Sequence, residues 1–600
     1  MKSLQQARFR EKFAELFGVD LRSLAALRVA TAMLIIIDLI SRSRDLVAHY
    51  TDFGVLPRTA LIEDFNRWRI SLHLANGTWE FQALLFVIAG IFAVALLLGY
   101  RTRVVTLATW FMLASLHARN PLLLDGGDVL LRVTLFWAIF LPWGACWSID
   151  RALGPNPSDS ELPGRAFSAA TFAYGAQFVF VYWFSVLHKV GAEWIQNANA
   201  LYYTLHFEQF LTPWAQYLSP YPVLLSWLTR GVYWFELIGP LLLFSPFWTT
   251  RLRMAGIIAF VLMHAGIGIF MNIGIFTWVA PLSMLGLLPT EVWNKLADRL
   301  RTKERLALRI YYDQECLFCF RTVRLLKTFL LIPETVVEPA QCDPSIERDM
   351  RSRNSWLVVD GQGKRHYGFA AMVVIVAHSP LLWPIAAILR WEPIKRAGEW
   401  SYQFMANHRR RLGCSLAIPS PSPCERSVKL GFTLNLLILL LLGYVLIWNV
   451  ASLPNSPVKL SERAKAVGAI LRLDQIWNMF ASAPKHNSWY VVAGTLKSGE
   501  VVDILRNGAS VNWEHPDSIP ALFPSYRWWK YFFALSNLRD GRSWDQYVSY
   551  VCRARSRPLY LSQTLESVRV VNLAEEILPN NQTGALKRYL MTEHSCGEKK

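Results

Sequence analysis

FQALLFVIAGIFAVALLLGY, residues 81–100, decides the class of this chain. None of these residues is charged. A helix needs about 20 mostly apolar residues to cross the roughly 30 Å of hydrocarbon in a bilayer. Working outward, comparable runs lie near 22–40, 103–118, 129–147, 167–188, 222–246, 254–272, 275–289 and 430–449. With the opening stretch they make about nine spans. Composition agrees. Of 600 residues, 53% are hydrophobic and 18% charged, against about 25% charged in ordinary soluble domains. The 25 Trp and 21 Tyr suit the water–lipid boundary, where such rings collect.

The net charge of +18 raises nucleic acid as a partner, but no basic stripe with interleaved aromatics forms a recognisable module. Basic residues instead cluster beside the apolar runs: Lys2, Arg8, Arg10 and Lys12, then Arg101 and Arg103, Arg251 and Arg253, and the run from Lys295 to Arg309. The positive-inside rule puts all of these in the cytoplasm. Eight spans then leave residues 290–428 cytoplasmic, and the ninth carries 450–600 across. Arg42, Arg44, Arg67, Arg69 and Arg119 run against that pattern. The polar N-terminus shows no apolar region followed by a cleavage site, so no removable signal is expected. Eight Cys in this length do not make a disulfide framework.

Two of those Cys stand at close spacing. Residues 306–313, LALRIYYD, read as a buried strand. After a short turn comes Cys316-Leu317-Phe318-Cys319, and FRTVRLLKTFLLI then has helical periodicity. The pair therefore sits at a strand-to-helix junction, where the positive end of the helix dipole favours a thiolate. A three-residue offset at a helix start brings both sulfurs within disulfide range, as in a thioredoxin-like redox site. A second strand is expected at 355–360, a turn at Gly361-Gln362-Gly363, and helices near 368–379 and 396–411. In this reading Cys316 attacks and Cys319 resolves. Asp313 either accepts a proton from the resolving thiol or orients the turn. Two alternatives stand beside it: half a zinc site completed by His366, His408, Cys414 or Cys424, and an inert buried pair. No proline precedes the strand at Ser355, where thioredoxin folds place one beside the Cys pair.

The expected outer loops carry unusual polar groups. His117, Arg119 and Asn120 precede Asp125-Gly126-Gly127-Asp128; His188-Lys189 leads to Glu193-Trp194; His264 lies inside a span and Asn272 at its end. Titratable groups at membrane depth point to a site. Each has a plainer reading. Lys189 snorkels to the interface. His264 is hydrogen-bonded between helices. The Asp-Gly-Gly-Asp stretch is a turn, with Gly at positive φ and Asp capping the next helix.

YTDFGVLPR (50–58), HARNPLLLDGGDVLLR (117–132), LPWGACWSIDR (141–151), HKVGAEW (188–194) and HAGIGIFMNIGIFTW (264–278), in that order, resemble the HTTM family. That family includes the vitamin K-dependent gamma-carboxylase, and the resemblance covers roughly 15–290. It implies that Lys189 takes the position of the base towards vitamin K hydroquinone, on the non-cytoplasmic side. A lysine base must be neutral, which a low-dielectric site promotes. The chain departs from the carboxylase where Asp125-Gly126-Gly127-Asp128 replaces an Asn-His pair and where a shorter segment replaces the large lumenal part. Both departures argue against glutamate carboxylation. Residues 307–413 resemble the DCC family of thiol-disulfide oxidoreductases, through Asp313, Cys316 and Cys319, then VVDGQGKRHYGFAAM and YQFMANHRRRLG.

Beyond the last span, WYVVAGTLKSGEVVDIL (489–505) reads as two strands around a Lys-Ser-Gly turn. PSYRWWKYF reads as an interfacial or partner-facing surface. With DQIWNMFASAP it is similar to segments that follow the membrane part in bacterial HTTM proteins.

The expected architecture is a polytopic α-helical membrane protein with a thioredoxin-like α/β domain and a small C-terminal mixed β domain. Residues 1–290 form the carboxylase-like membrane part, 300–415 the Cys-x-x-Cys domain, 416–428 a Pro/Ser linker, 429–450 one more helix and 451–600 the extracytoplasmic part. The setting is a bacterial inner membrane. The first functional reading is thiol-disulfide exchange at Cys316/Cys319 with a protein dithiol or disulfide, coupled to a membrane core that binds a quinone or lipid. The second is a quinol-dependent carboxylase- or oxidase-like enzyme with Lys189 as base and His264, Asp125, Asp128, Arg119, Glu193 and Trp194 around it. The third is a non-enzymatic scaffold or export accessory. No metal is assigned, and a quinone or quinol is the one cofactor the resemblance admits.

Overall fold

The computed structural model describes residues 11–65, 68–154, 164–332, 334–415, 430–538, 541–554, 564–579 and 582–597, with backbone alone at 409–415. The Pro/Ser linker at 416–428, Cys424, Arg67, and Lys2, Arg8 and Arg10 lie outside the described residues.

A helix stands in each of the nine expected places: α1 Leu21–Ser43, α2 Trp79–Leu98, α3 Thr102–Arg119, α4 Gly126–Ala138, α5 Ala169–His188, α6 Pro222–Leu243, α7 Thr249–Phe270, α8 Phe276–Ser283, and, after the Cys-x-x-Cys region, Phe432–Ala451. Among the described residues, five of them are long and apolar enough to cross a membrane: α1, α2, α5, α7 and Phe432–Ala451. The expected span 129–147 is helical only to Ala138, because Pro142 and Gly144 follow at once. The expected span 275–289 is short as well, with Pro281 inside it and a 3-10 turn at Met284–Leu287.

Local chemistry sets the helix ends. Ser168 and Thr171 form a reciprocal capping box at the start of α5. Gly99 ends α2 at φ 67°, and a Cβ there would fall 2.4 Å from Ser148 Cβ and 2.5 Å from Arg28 Nη1. This tight turn lets the Asp150 carboxylate accept the Arg101 and Thr102 amides, each at 2.8 Å, at the start of α3.

Helix α1 makes contacts at both ends of the bundle. At its N-terminal end, Arg22 donates to Asn294 Oδ1 at 2.9 Å and Ser23 to the Leu288 carbonyl at 2.8 Å. At its C-terminal end, Arg42 reaches Asp128. Its 23 residues span about 34 Å at 1.5 Å per residue. The chain leaves the bundle towards the Cys pair at the first end. The C-terminal part docks at the second.

The Cys-x-x-Cys region is a four-stranded sheet with helices. In chain order it runs β1 Arg309–Tyr312, α9 Leu317–Phe329, β2 Val336–Pro339, α10 Pro344–Arg353, β3 Leu357–Val359, β4 Arg365–Tyr367, α11 Gly368–His378, α12 Trp383–Leu389 and α13 Glu392–Ser415. The strand order is β2-β1-β3-β4. β1 and β2 are parallel; β3 is antiparallel to both β1 and β4. The expected strands are shorter than their apolar runs, since Lys303–Ala307 is helical and Ser355 and Trp356 precede β3. Ile310, Val323, Leu357, Val358 and Ile375 build a core separate from that of the bundle. The region still touches the bundle through its Cys helix: α9 packs on the short helix Ile149–Leu153, and Arg324 Nη1 donates to the Gly154 carbonyl at 2.8 Å.

Beyond Phe432–Ala451, His486–Leu496 pairs with Val501–Asp503 around a turn with Gly499 at φ 85°, as the Lys-Ser-Gly signal predicts. The long strand Leu565–Leu578 lies between His486–Leu496 and Lys587–Ser595. Cys552 and Cys596 form a disulfide, which the sequence left open. The expectation of a partner-facing PSYRWWKYF is overturned. Tyr526–Leu538 is a helix whose Arg527, Trp528, Trp529, Tyr531 and Phe532 are buried, with Arg527 and Trp528 bonded to this chain's own bundle.

Candidate functional site

The Cys site is built where the parallel strands β1 and β2 end. After Tyr312, the Cys316 amide donates to the Asp313 carbonyl at 3.1 Å and closes the turn. Cys316 is then the N-cap of α9. Its Sγ accepts the Cys319 amide at 3.3 Å and lies 2.7 Å from Cys319 Sγ. Both residues are half-buried. The side chain of Asp313 faces the turn rather than a thiol in the contacts it makes: Oδ1 accepts from the Glu315 amide at 3.1 Å and from Gln341 Nε2 at 3.0 Å. Gln341 in turn accepts the Gln314 amide at 3.2 Å. The segment after β2 therefore braces the Cys loop. Exposed Cys342 sits beside Gln341 on that segment. Burial first, and the Cys342 sulfur second, push the Tyr312 phenol above its ordinary value, while Arg324 draws it down.

The two histidines of the zinc alternative bond elsewhere. His366 pairs with Asp360 at 2.8 Å, holding that carboxyl below the usual range. His408 Nδ1 contacts the Phe404 carbonyl at 2.8 Å. Ser355 is buried, and its hydroxyl accepts the Gly368 amide at 2.6 Å and meets the Tyr402 hydroxyl at 3.1 Å.

At the opposite end of the bundle, Lys189 follows α5 and is 3% exposed, so it does not snorkel. Its Nζ donates to Glu236 Oε2 on α6 and stands 4.5 Å from the centre of the Trp194 ring. Ser185 Oγ donates to the same Glu236 oxygen at 3.2 Å. Trp194 Nε1 donates to the Phe480 carbonyl at 2.9 Å, and Glu193 Oε1 accepts the Ala483 amide at 3.1 Å. His264 meets the Tyr182 hydroxyl at 2.8 Å across α5 and α7, as its plainer reading expects.

Asp125 caps α4, and Asp128 closes the reciprocal capping box. The glycines between them are not at positive φ, which corrects that expectation. Gly127 is required by close approach instead: a Cβ there would fall 2.4 Å from the Phe276 amide nitrogen. Asp128 is fully buried between Arg42 and Arg527. Arg42 and Arg527 also bind Asp38, at 2.7 and 3.1 Å. Among the described residues, Asp38, His117 and Asp128 are the one trio close enough to hold a metal ion. The two guanidinium groups already satisfy these carboxylates, so the cluster reads as an ion-pair network. Arg119 donates to the Leu56 and Thr51 carbonyls at 2.8 and 3.0 Å, a clamp on the loop between α1 and α2.

The structure thus groups Lys189 with Trp194, and Asp125 with Asp128, and leaves the Cys pair at the far end. Gln341, Glu236, Asp38 and Arg527 escaped the sequence reading as site residues, and Arg42 entered it only as an exception to the charge pattern. For Asp38 and Glu236 a signal was present: each is a lone acid in an apolar run, LIIIDLI and VYWFELI.

Residues 18–293 match the HTTM domain family, and residues 310–415 match the DCC1-like thiol-disulfide oxidoreductase family. The chain therefore carries an HTTM domain followed by a DCC1-like thiol-disulfide oxidoreductase domain. No curated protein and no solved structure matches it.

Proposed function

We propose that this chain is a membrane-held thiol-disulfide oxidoreductase acting through Cys316 and Cys319. The observation that carries the reading is Cys316 at the start of α9, its sulfur accepting the Cys319 amide beside the second sulfur. A helix N-terminus and an amide donor both favour negative charge on that sulfur. The strand order β2-β1-β3-β4, with one parallel and two antiparallel pairings, supports a thioredoxin-like fold. The Cys316 thiolate attacks one sulfur of a protein disulfide and expels the other. Cys319 then gives up its proton and attacks Cys316 in the mixed disulfide. The substrate leaves as a dithiol, the pair remains as a disulfide, and two electrons and two protons have moved. Run backwards, the same steps oxidise a dithiol. Asp313 positions the turn. The test is trapping: Cys319→Ser accumulates a mixed disulfide with substrate protein, and Cys316→Ser does not. Equal trapping by both, or by neither, removes the reading.

The sidedness in this proposal is N-terminus and Cys pair in the cytoplasm, C-terminal part outside, with nine crossings. The Cys552–Cys596 disulfide supports an oxidising compartment for the C-terminal part. The separation of the two ends along α1 supports different sides for the two sites.

A second reading rests on the buried Lys189–Glu236 pair beside Trp194. If the HTTM part uses a quinol, Lys189 is its base and Glu236 must take the lysine's proton first. A diffusing quinone then links the two ends. Loss of activity in Lys189→Ala with Cys316→Ser silent favours this reading over the first.

A further inference from the structure

DQIWNMFASAP lies against the outer end of the bundle; its later residues, Phe480 and Ala483, bond Trp194 and Glu193, while its start belongs to neither site. Asp474 is its first residue, and three arginines converge on it: Arg69 and Arg132 from distant parts of the chain, and Arg472 from two residues before it. Arg69 Nη2 reaches Asp474 Oδ2 at 3.1 Å. Arg132, on α4, donates to the Asp474 carbonyl at 2.8 Å and lies 3.4 Å from Oδ1. Arg472 Nε lies 3.3 Å from Oδ1. Arg132 and Arg472 are almost wholly buried, at 1% and 2% exposure. Arg472 also adopts φ 52°, a left-handed conformation rare in a residue with a side chain.

One carboxylate faces three guanidinium groups. An uncompensated buried charge is costly, and a buried donor without an acceptor adds to the cost. Among the described residues, Arg132 Nη1, Arg472 Nη2 and Arg69 Nε are all buried without a hydrogen-bond partner. Both ring nitrogens of fully buried His117 likewise make no hydrogen bond, with Nε2 3.6 Å from Asp128 Oδ1. The arginines are held in place from other directions: Arg472 Nη1 donates to the Ala114 carbonyl at 2.8 Å, and Arg132 Nε to the Arg472 carbonyl at 3.0 Å. A cavity of about 90 Å³ opens beside Arg69, lined by Phe65, Leu74, Ala118 and Pro121 as well. Asp474 is 15% and Arg69 26% exposed at the side chain, so the cluster is reachable from the Arg69 side.

We infer that Arg69, Arg132 and Arg472 form a binding site for a phosphate-type oxyanion, seated at the joint between the bundle and the segment after the last helix. Planar guanidinium donors match phosphate oxygens, and such charge-assisted bonds are the strong ones. The site also gives Arg69 a reason to break the positive-inside pattern. The oxyanion comes from an anionic lipid headgroup or from free phosphate.

The test uses the full chain, delipidated in neutral detergent, followed by thermal unfolding. The probes are inorganic phosphate against chloride of matched ionic strength, and nanodiscs of phosphatidylglycerol against phosphatidylcholine. A saturable rise in the unfolding midpoint with either probe is expected. Half-exposed Arg69→Gln, a variant least at risk of misfolding, weakens the apparent affinity by about tenfold, the equivalent of one charge-assisted bond. Arg132→Lys keeps the charge and retains a saturable response. A response to phosphatidylglycerol alone assigns a lipid headgroup, and one to inorganic phosphate alone assigns a free oxyanion. If neither probe exceeds its control on a folded chain, or if Arg69→Gln responds as the parent does, the inference is overturned.

Discussion

Arg527 lies 399 residues after Asp128 and holds both of its carboxylate oxygens, Oδ2 through Nη1 at 2.5 Å and Oδ1 through Nη2 at 3.0 Å. Asp128 closes the capping box of one bundle helix, and Arg527 stands in the first turn of a helix of the C-terminal part. The fork therefore joins the two in one buried unit with Arg42 and Asp38. Removing one partner of such a group leaves a buried charge uncompensated, at a cost of about 3–5 kcal/mol. Arg527→Gln should lower the unfolding midpoint of the full chain in detergent. It should also let protease cut between the bundle and residues 451–600. An unchanged midpoint and cleavage pattern would show that the fork does not couple them.

Lys189 and Glu236 separate structure from chemistry. Either single substitution, Lys189→Met or Glu236→Leu, should destabilise the protein by about 3–5 kcal/mol, and the double substitution should recover much of that loss. Stability and in vivo function are scored on the same variants. If the double variant regains stability but not function, the pair does chemistry. If both return together, its role is packing, and the quinol reading fails.

The disulfide Cys552–Cys596 closes a loop 44 residues long in sequence separation. Its removal by the double Ala variant should cost about 2–4 kcal/mol, read as a lower unfolding midpoint. In the parent, dithiothreitol should produce the same shift, and in the variant no shift. A shift in both would place the reductant's effect elsewhere.

Sidedness has a native reporter. Cys342 is exposed on the Cys-x-x-Cys domain. A membrane-impermeant maleimide should label it in inverted vesicles and leave it untouched in intact cells. Labelling from intact cells would put the Cys pair outside and invert the proposed arrangement.

The membrane class, the nine helix positions and the Cys turn were legible because each rests on local pattern: apolar run length, or strand followed by Cys-x-x-Cys and helical periodicity. The Asp125 cap was legible for the same reason. What was hidden depends on contacts across the chain. Nothing near Arg527 says that it ends on Asp128, so its aromatic, basic neighbourhood read as surface. Gln341 could not be seen as a brace for Asp313 before β2 was known to lie parallel to β1. The shortened span at 129–147 was foreseeable in part, since Pro142 and Gly144 stand inside its last turns.

The most direct measurement is the reduction potential of Cys316/Cys319 in the full chain, read by redox-buffer equilibration, alkylation and peptide mass. The account predicts a reversible two-electron couple within roughly −270 to −120 mV, the range of known thiol oxidoreductases. A pair that stays reduced across that range, or that cannot be re-reduced once oxidised, would contradict it.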